Sequence, residues 1–268
     1  MPMRIKDEEL TAANMPAVGI SSLPNDEAVP PAALRLFWER FWLRGKGRYQ
    51  LQANTLELLT EVRPHLVSLA PQRALDVGCG DGRNIDFLQG IPSLRVLHGL
   101  DFSLNAVAKA ARNMPANHNA VSVSFEVAEC TRLPFSDESI DLVLACDLLN
   151  HLDGCDDACH ECARVLRPGG LLIANPLSES DPGAEELRDS SMLIGSNTFL
   201  VRPEDPDGRY TAYIMRFATK SELVSTFAEG FDFLLPLIER ERFDPPHGYP
   251  FRQEAHTHIY WQVVCQRV

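Results

Sequence analysis

No stretch of the chain reaches the roughly 18 consecutive apolar residues that a membrane-spanning helix needs, so no membrane partner is expected. Excess positive charge is missing as well. Lys and Arg together number 25 against 37 Asp and Glu, a formal net charge of −12, and a surface of that sign repels phosphate and argues against sequence-blind nucleic-acid binding. A small or cationic partner suits it better. The first residues lack the apolar core of a signal peptide and instead place acids at Asp7, Glu8 and Glu9, so export is not expected and the location predicted is the cytoplasm. An even cysteine count is also lacking. Seven cysteines scattered through apolar segments of a chain in a reducing compartment read as thiols rather than as a disulfide framework. Internal repeats are absent, and nothing in the pattern fixes an oligomeric state.

What is there is ordinary globular composition, 45% apolar and 23% charged, enough for a sizeable core. Residues 1–30 combine prolines and acids with no apolar period and are expected to be a disordered tail. The remainder, 31–268, is read as one domain. Leu34, Trp38, Phe41 and Trp42 recur at helical spacing until Gly45-Lys46-Gly47, and a second helix is predicted over 51–69, so 31–70 forms an N-terminal helical cap. Short apolar runs at 74–77, 96–100, 121–127, 140–146 and 171–174 then alternate with helical periods at 82–88, 104–111 and 158–166. That rhythm is the signature of βαβ units feeding a doubly wound parallel sheet, an α/β fold. The 121–127 run alternates Val121, Val123, Phe125 and Val127 with Ser122, Ser124 and Glu126, which predicts an edge strand, whereas its neighbours are nearly solid apolar. After Asn175 the rhythm stops. Residues 197–217 read as an inserted antiparallel hairpin around the turn-rich 203–208, followed by a helix at 220–228 and two strands at 231–243 and 256–267.

The first strand runs into Asp76-Val77-Gly78-Cys79-Gly80-Asp81-Gly82. Glycines belong where a backbone turns sharply and lets a ligand approach. A dinucleotide fingerprint has the spacing G-x-G-x-x-G and sets a pyrophosphate on a helix N-terminus, where further negative charge is costly. Here the spacing is G-x-G-x-G, flanked by Asp76 and Asp81. The preferred ligand therefore carries no phosphate and offers a cation, a description that S-adenosylmethionine meets through its ammonium and sulfonium. The second strand ends at Asp101, where an acid can hydrogen-bond a ribose diol.

With Leu133-Pro134-Phe135 and the run Arg164-Val165-Leu166-Arg167-Pro168-Gly169-Gly170, these residues resemble the class I S-adenosylmethionine-dependent methyltransferases, in their small-molecule branch. The resemblance implies a Rossmann-like sheet of seven strands in the order 3-2-1-4-5-7-6, the seventh antiparallel, and methyl transfer to a small-molecule acceptor. It implies that Gly78 and Gly80 pass under the methionine moiety, that Asp76 holds the ammonium, and that Asp101 binds the ribose hydroxyls. Phe102 would pack on the adenine, and Cys146 would offer its backbone carbonyl. Glu129-Cys130 stands where the family has Asp and a small residue at the adenine edge.

The N-terminal helix of this family commonly covers the active site, which makes Trp38 and Trp42 candidates for the acceptor wall, with Tyr49 beyond the glycine break and Tyr213 on the hairpin. His151, following the fourth strand, is the candidate base, the alternative being a packing or hydrogen-bonding role. Gly82-Arg83-Asn84 is similar to tellurite and thiol methyltransferases and points to a soft sulfur or chalcogen nucleophile. An oxygen or nitrogen acceptor of a biosynthetic pathway, or a non-catalytic cofactor-binding regulator, are the alternatives. No metal is expected: Cys159 and Cys162 fall on the apolar stripe of their helix with Cys155 and His160 nearby, and His256 and His258 share one strand face and read as solvated.

Overall fold

The computed structural model describes residues 31–44, 53–114, 121–203, 211–244 and 254–268. The expected tail, Tyr49 and most of the hairpin turn lie outside the described residues. The two N-terminal helices are α1 (Pro31–Arg44) and α2 (Ala53–Leu69). The βαβ series follows as β1 (Arg73–Val77), α3 (Ile85–Gln89), β2 (Val96–Asp101), α4 (Leu104–Asn113), β3 (Ser122–Val127), β4 (Ile140–Ala145), α5 (Asp156–Val165) and β5 (Leu166–Ala174). Next come α6 (Pro182–Ser190), β6 (Met192–Gly195), β7 (Thr198–Val201), β8 (Tyr213–Arg216), α7 (Lys220–Ala228), β9 (Phe231–Phe233), β10 (Ile238–Asp244) and β11 (His256–Arg267). None of these helices is long and apolar enough to cross a membrane.

The main sheet runs β3-β2-β1-β4-β5-β11, with β9 and β10 both paired to β11. β1 to β5 are mutually parallel and β11 is antiparallel to β5. This is the expected strand order, with β3 at the edge. One element differs: the expected strand over 231–243 is split in two. Pro236 has no N–H for the ladder, so pairing lapses after Leu234 N donates to Val264 O at 2.9 Å and resumes at Ile238. β5 also starts earlier than its apolar run suggests, because Gly170 allows the backbone to pass Asp141: a Cβ there would lie 3.0 Å from the Asp141 carbonyl.

Both faces of the sheet are covered, as a parallel sheet requires. On one side Leu75, Val143, Leu172 and Val263 pack with Cys159, Cys162, Leu223 and Phe227 of α5 and α7. On the other, Leu142, Leu144 and Ile173 pack with Leu58, Leu59 and Val62 of α2 and Ile85 and Leu88 of α3. The cysteines Cys155, Cys159 and Cys162 are thus buried thiols, each pushed upward in pKa by burial.

The expected hairpin is β7 with β8, paired from Thr198↔Arg216 to Val201↔Tyr213. It belongs to a three-stranded sheet, with β6 on the other side of β7. The sequence reading missed β6 and α6. Asp181 caps α6 through Gly183 N at 2.7 Å, ahead of Pro182 at the first helical position, a start signal that was legible. The helix carries only Ala184 and Leu187 as buried apolar residues, too few to show a period.

Candidate active site

The loop after β1 is built on left-handed backbone, with φ of 71° at Gly78, 54° at Gly80 and 81° at Gly82. A Cβ on Gly78 would sit 2.9 Å from Leu148 Cδ1, and one on Gly80 2.7 Å from the ring of Trp42, so no other residue fits either place. Asp101, at the end of β2, holds this loop: its carboxylate accepts from Gly80 N at 3.0 Å and Ser103 N at 2.9 Å.

Asp76 is fully buried at the end of β1 and accepts from Asn84 Nδ2 at 3.1 and 3.3 Å. Burial raises its pKa to about 7 against the bond from Asn84 and the charge of Arg83, and Asp101 and Asp147 push it further up. Asp101 is raised to about 6, first by burial, with the two N–H donors opposing and Glu39 adding to the rise. Buried together, the two carboxyl groups resist ionising, and a further cation brought beside them would favour the charged forms. An ammonium or sulfonium supplies it; a pyrophosphate would not. The residues therefore fit S-adenosylmethionine.

At the ends of β4 and β5 a second group of polar side chains gathers. Asp147 adopts φ of 56°; its N–H donates to Asn175 Oδ1 at 2.6 Å and its carboxylate accepts from Asn175 Nδ2 at 3.2 Å. Arg83 Nη1 lies 3.9 Å and Arg242 Nη1 3.8 Å from this carboxylate. Cys146 is buried in the apolar cluster with Leu144 and Ile173.

His151 bridges the two sheets. Its Nδ1 donates to Ile214 O of β8 at 3.0 Å, which leaves Nε2 as acceptor for Asn150 Nδ2 at 3.2 Å. Burial lowers its pKa to about 4. Trp38 packs edge-on against this imidazole at 4.7 Å, and Tyr213 stacks on Phe37 of α1 at 4.5 Å. Trp38, His151 and Tyr213 are thus brought together, but Tyr213 is only 1% exposed, its ring enclosed by Phe37, Phe199 and Phe217. Trp42 goes elsewhere, against Gly80 on the glycine loop.

Three α1 residues that the sequence reading missed fasten this helix across the loop. Glu39, buried, accepts from Ser103 Oγ at 2.9 Å, Leu104 N at 2.8 Å and Asn105 N at 3.0 Å, so a carboxylate from one helix caps the N-terminus of α4. Phe37 joins the small sheet. Arg35 donates to Phe102 O, lies 5.1 Å over the Phe102 ring and pairs with Glu129. Phe102 and Glu129, expected on the adenine, are therefore engaged by a planar cation that stacks and donates as adenine would. Cys130 beside them is half-buried, its thiol raised to about 11 by burial.

Residues 75–174 match the methyltransferase-domain family. An O-methyltransferase of Aspergillus nomiae is 32% identical over 132 residues, 49% of this chain and 58% of that protein. The 27-O-demethylrifamycin SV methyltransferase of Amycolatopsis mediterranei is 31% identical over 163 residues, 53% of this chain and 56% of that one. The similarity thus spans little more than half of either relative's length. A crystal structure of a SAM-dependent methyltransferase from Methanosarcina mazei superposes with a TM-score of 0.56 at 20% identity, covering 73% of this chain and 92% of that one, a likeness of fold. The family match begins inside β1, takes in the glycine loop and Asp101 and ends with β5, so residues 75–174 form a methyltransferase domain.

Proposed function

We propose that this chain transfers a methyl group from S-adenosylmethionine to a hydroxyl oxygen of a small organic acceptor. The observation that carries the cofactor side is the buried pair Asp76 and Asp101 at the glycine loop, both raised in pKa chiefly by burial, so that a ligand cation would favour their ionised forms. When bound, S-adenosylmethionine supplies an electrophilic methyl on sulfonium. Asp76 holds the ammonium, and Asp101, whose oxygens keep lone pairs beyond those given to Gly80 and Ser103, accepts from the ribose hydroxyls. Arg35 yields Phe102 and Glu129 to the adenine, and the backbone of Gly78, Gly80, Cys130 and Cys146 lines the remainder.

The acceptor lies towards Trp38 and His151, with the enclosed Tyr213 supporting Phe37 behind them and Trp42 closing the cofactor loop against water. His151 orients rather than deprotonates. With a pKa of about 4 and Nε2 engaged by Asn150, it is too weak a base for a hydroxyl that ionises near 10 or above. Holding nucleophile, methyl and sulfur in line supplies the rate instead.

An oxygen acceptor is favoured over the soft nucleophile by the names of the relatives, which are mostly O-methyltransferases. The hint from Gly82-Arg83-Asn84 has another explanation. Gly82 turns the loop, Arg83 faces Asp147 and Asn84 bonds Asp76, so these residues support the cofactor side rather than select the acceptor. Release of S-adenosylhomocysteine from a panel of phenols, aliphatic alcohols, amines and thiols is the test, with turnover expected on hydroxyl compounds. Turnover confined to thiols would restore the soft-nucleophile reading. Tight cofactor binding without turnover on any acceptor would leave a regulatory protein.

A further inference from the structure

β10 and β11 pair so that Asp244 stands opposite His256 and Arg242 opposite His258. His256 and His258, two apart on one strand, point to the same face. Their Nε2 atoms face each other at 2.9 Å, with the rings perpendicular. The protons on both rings are committed elsewhere. Nδ1 of His258 lies 2.8 Å from Asp181 Oδ2, and Nδ1 of His256 lies 2.6 Å from the Glu254 carbonyl. A carboxylate and a carbonyl only accept, so each Nδ1 is the donor and each neutral ring turns an Nε2 lone pair on the other. Two lone pairs at that distance repel unless a cation lies between them.

The cation can be a proton or a metal, and the surroundings are those of a metal. A third ligand is present: Asp244 Oδ2 lies 3.9 Å from His258 Nε2, and one ligand atom of each of Asp244, His256 and His258 falls within 4.8 Å of the others. Asp181, itself 2% exposed and held by Gly183 N and Ile259 N, fixes the His258 ring as carboxylates behind metal-bound histidines do. At metal–nitrogen bonds of about 2.0–2.1 Å, a nitrogen separation of 2.9 Å corresponds to an angle of about 90°, which leaves further positions open for water or another ligand. Arg242 pairs with Asp244 at 2.6 and 2.7 Å and lies 3.8 Å from Asp147, so two carboxylates face one guanidinium.

We propose that Asp244, His256 and His258 form a binding site for a first-row divalent transition-metal ion of the zinc class. Two imidazoles and a carboxylate suit such ions and not magnesium or calcium. This replaces the expectation of solvated histidines. Because β11 is antiparallel to β5, its first residues lie beyond the carboxyl end of β5, on the same sheet edge as the glycine loop, and Arg242 joins Asp244 to Asp147. The proposal does not depend on which acceptor is methylated.

The test takes the full-length protein, stripped with a chelator, and dialyses it against micromolar zinc or cobalt(II), reading bound metal by elemental analysis and cobalt by its visible spectrum. One ion per chain is expected, with a nitrogen and oxygen ligand spectrum. Binding should vanish in His256→Ala and in His258→Ala and weaken about 10- to 100-fold in Asp181→Asn. His256 is the half-buried partner, so His256→Ala should keep the native circular dichroism even if His258→Ala does not. No uptake by the native chain, a thiolate charge-transfer band from cobalt bound to cysteines, or one ion retained by a folded His256→Ala would overturn the proposal. Zinc-insensitive imidazole resonances that reveal one shared proton would do the same.

Discussion

Cofactor affinity should collapse on mild acidification, and the size of the effect follows from two carboxyl groups. Asp76 and Asp101 titrate near 7 and 6 in the free site, and their ionised forms hold the ammonium and accept from the ribose hydroxyls respectively. Treated as independent, both are ionised in about 0.45 of molecules at pH 7, about 0.045 at pH 6 and about 0.001 at pH 5. Affinity for S-adenosylhomocysteine should thus fall about tenfold from pH 7 to 6 and a further fiftyfold or so to pH 5, with about one proton released per ligand bound at pH 6.5. Acid does not unfold the chain through these groups. Their folded pKa values lie above the 3.8 of an unfolded Asp, so their contribution to stability is complete below about pH 4 and is lost as pH rises through 6 and 7. Titration calorimetry in buffers of different ionisation enthalpy reads affinity and proton release together. An affinity that is flat from pH 7 to pH 5, with no proton released and an unchanged circular dichroism spectrum, would refute the assignment of these carboxyls to the cofactor.

Arg35→Ala should tighten cofactor binding by a few fold up to about tenfold, since the ligand no longer displaces a stacked guanidinium paired with a partly exposed Glu129; weaker binding by calorimetry would mean that Arg35 contacts the ligand. Glu39→Ala removes the buried acceptor of three donors on Ser103, Leu104 and Asn105 and should cost about 2–3 kcal/mol in denaturant unfolding, with α1 becoming protease-sensitive at Arg40 and Arg44; a native melting curve and a protected α1 would show that the helix is held by its aromatic residues alone. Asp141 accepts from Gln72 N and Arg73 N at 2.8 Å and from Arg167, and these donors outweigh burial to depress its pKa. Its stabilisation is therefore present above about pH 4 and lost as pH falls through the depressed value, so Asp141→Asn should destabilise the chain by about 1–2 kcal/mol at pH 7 and by less in acid, as read from urea midpoints.

What was legible in the sequence was local and periodic. The apolar runs around 74–77, 96–100, 140–146 and 171–174 are long enough and solid enough to mark buried parallel strands, the alternation of 121–127 marks the edge, and the glycines of the loop after β1 mark left-handed turns that only their missing Cβ permits. The acids at Asp76 and Asp101 were readable because a strand end and a glycine loop place them near each other whatever the remainder of the chain does. Less could be read where the signal depends on a partner far along the chain. Pro236 split a strand whose apolar pattern runs through it, and α6 carries too little apolar surface to register. Arg35 and Glu39 look like solvated charges on an amphipathic helix until folding lays that helix across Phe102, Glu129 and the start of α4, 64 to 94 residues away. His256 and His258 likewise read as exposed strand residues. Only the pairing of β10 with β11 and the cap of α6 bring Asp244 and Asp181 to them, because a hydrogen-bond partner outside a residue's own segment is chosen by packing and not by neighbouring sequence.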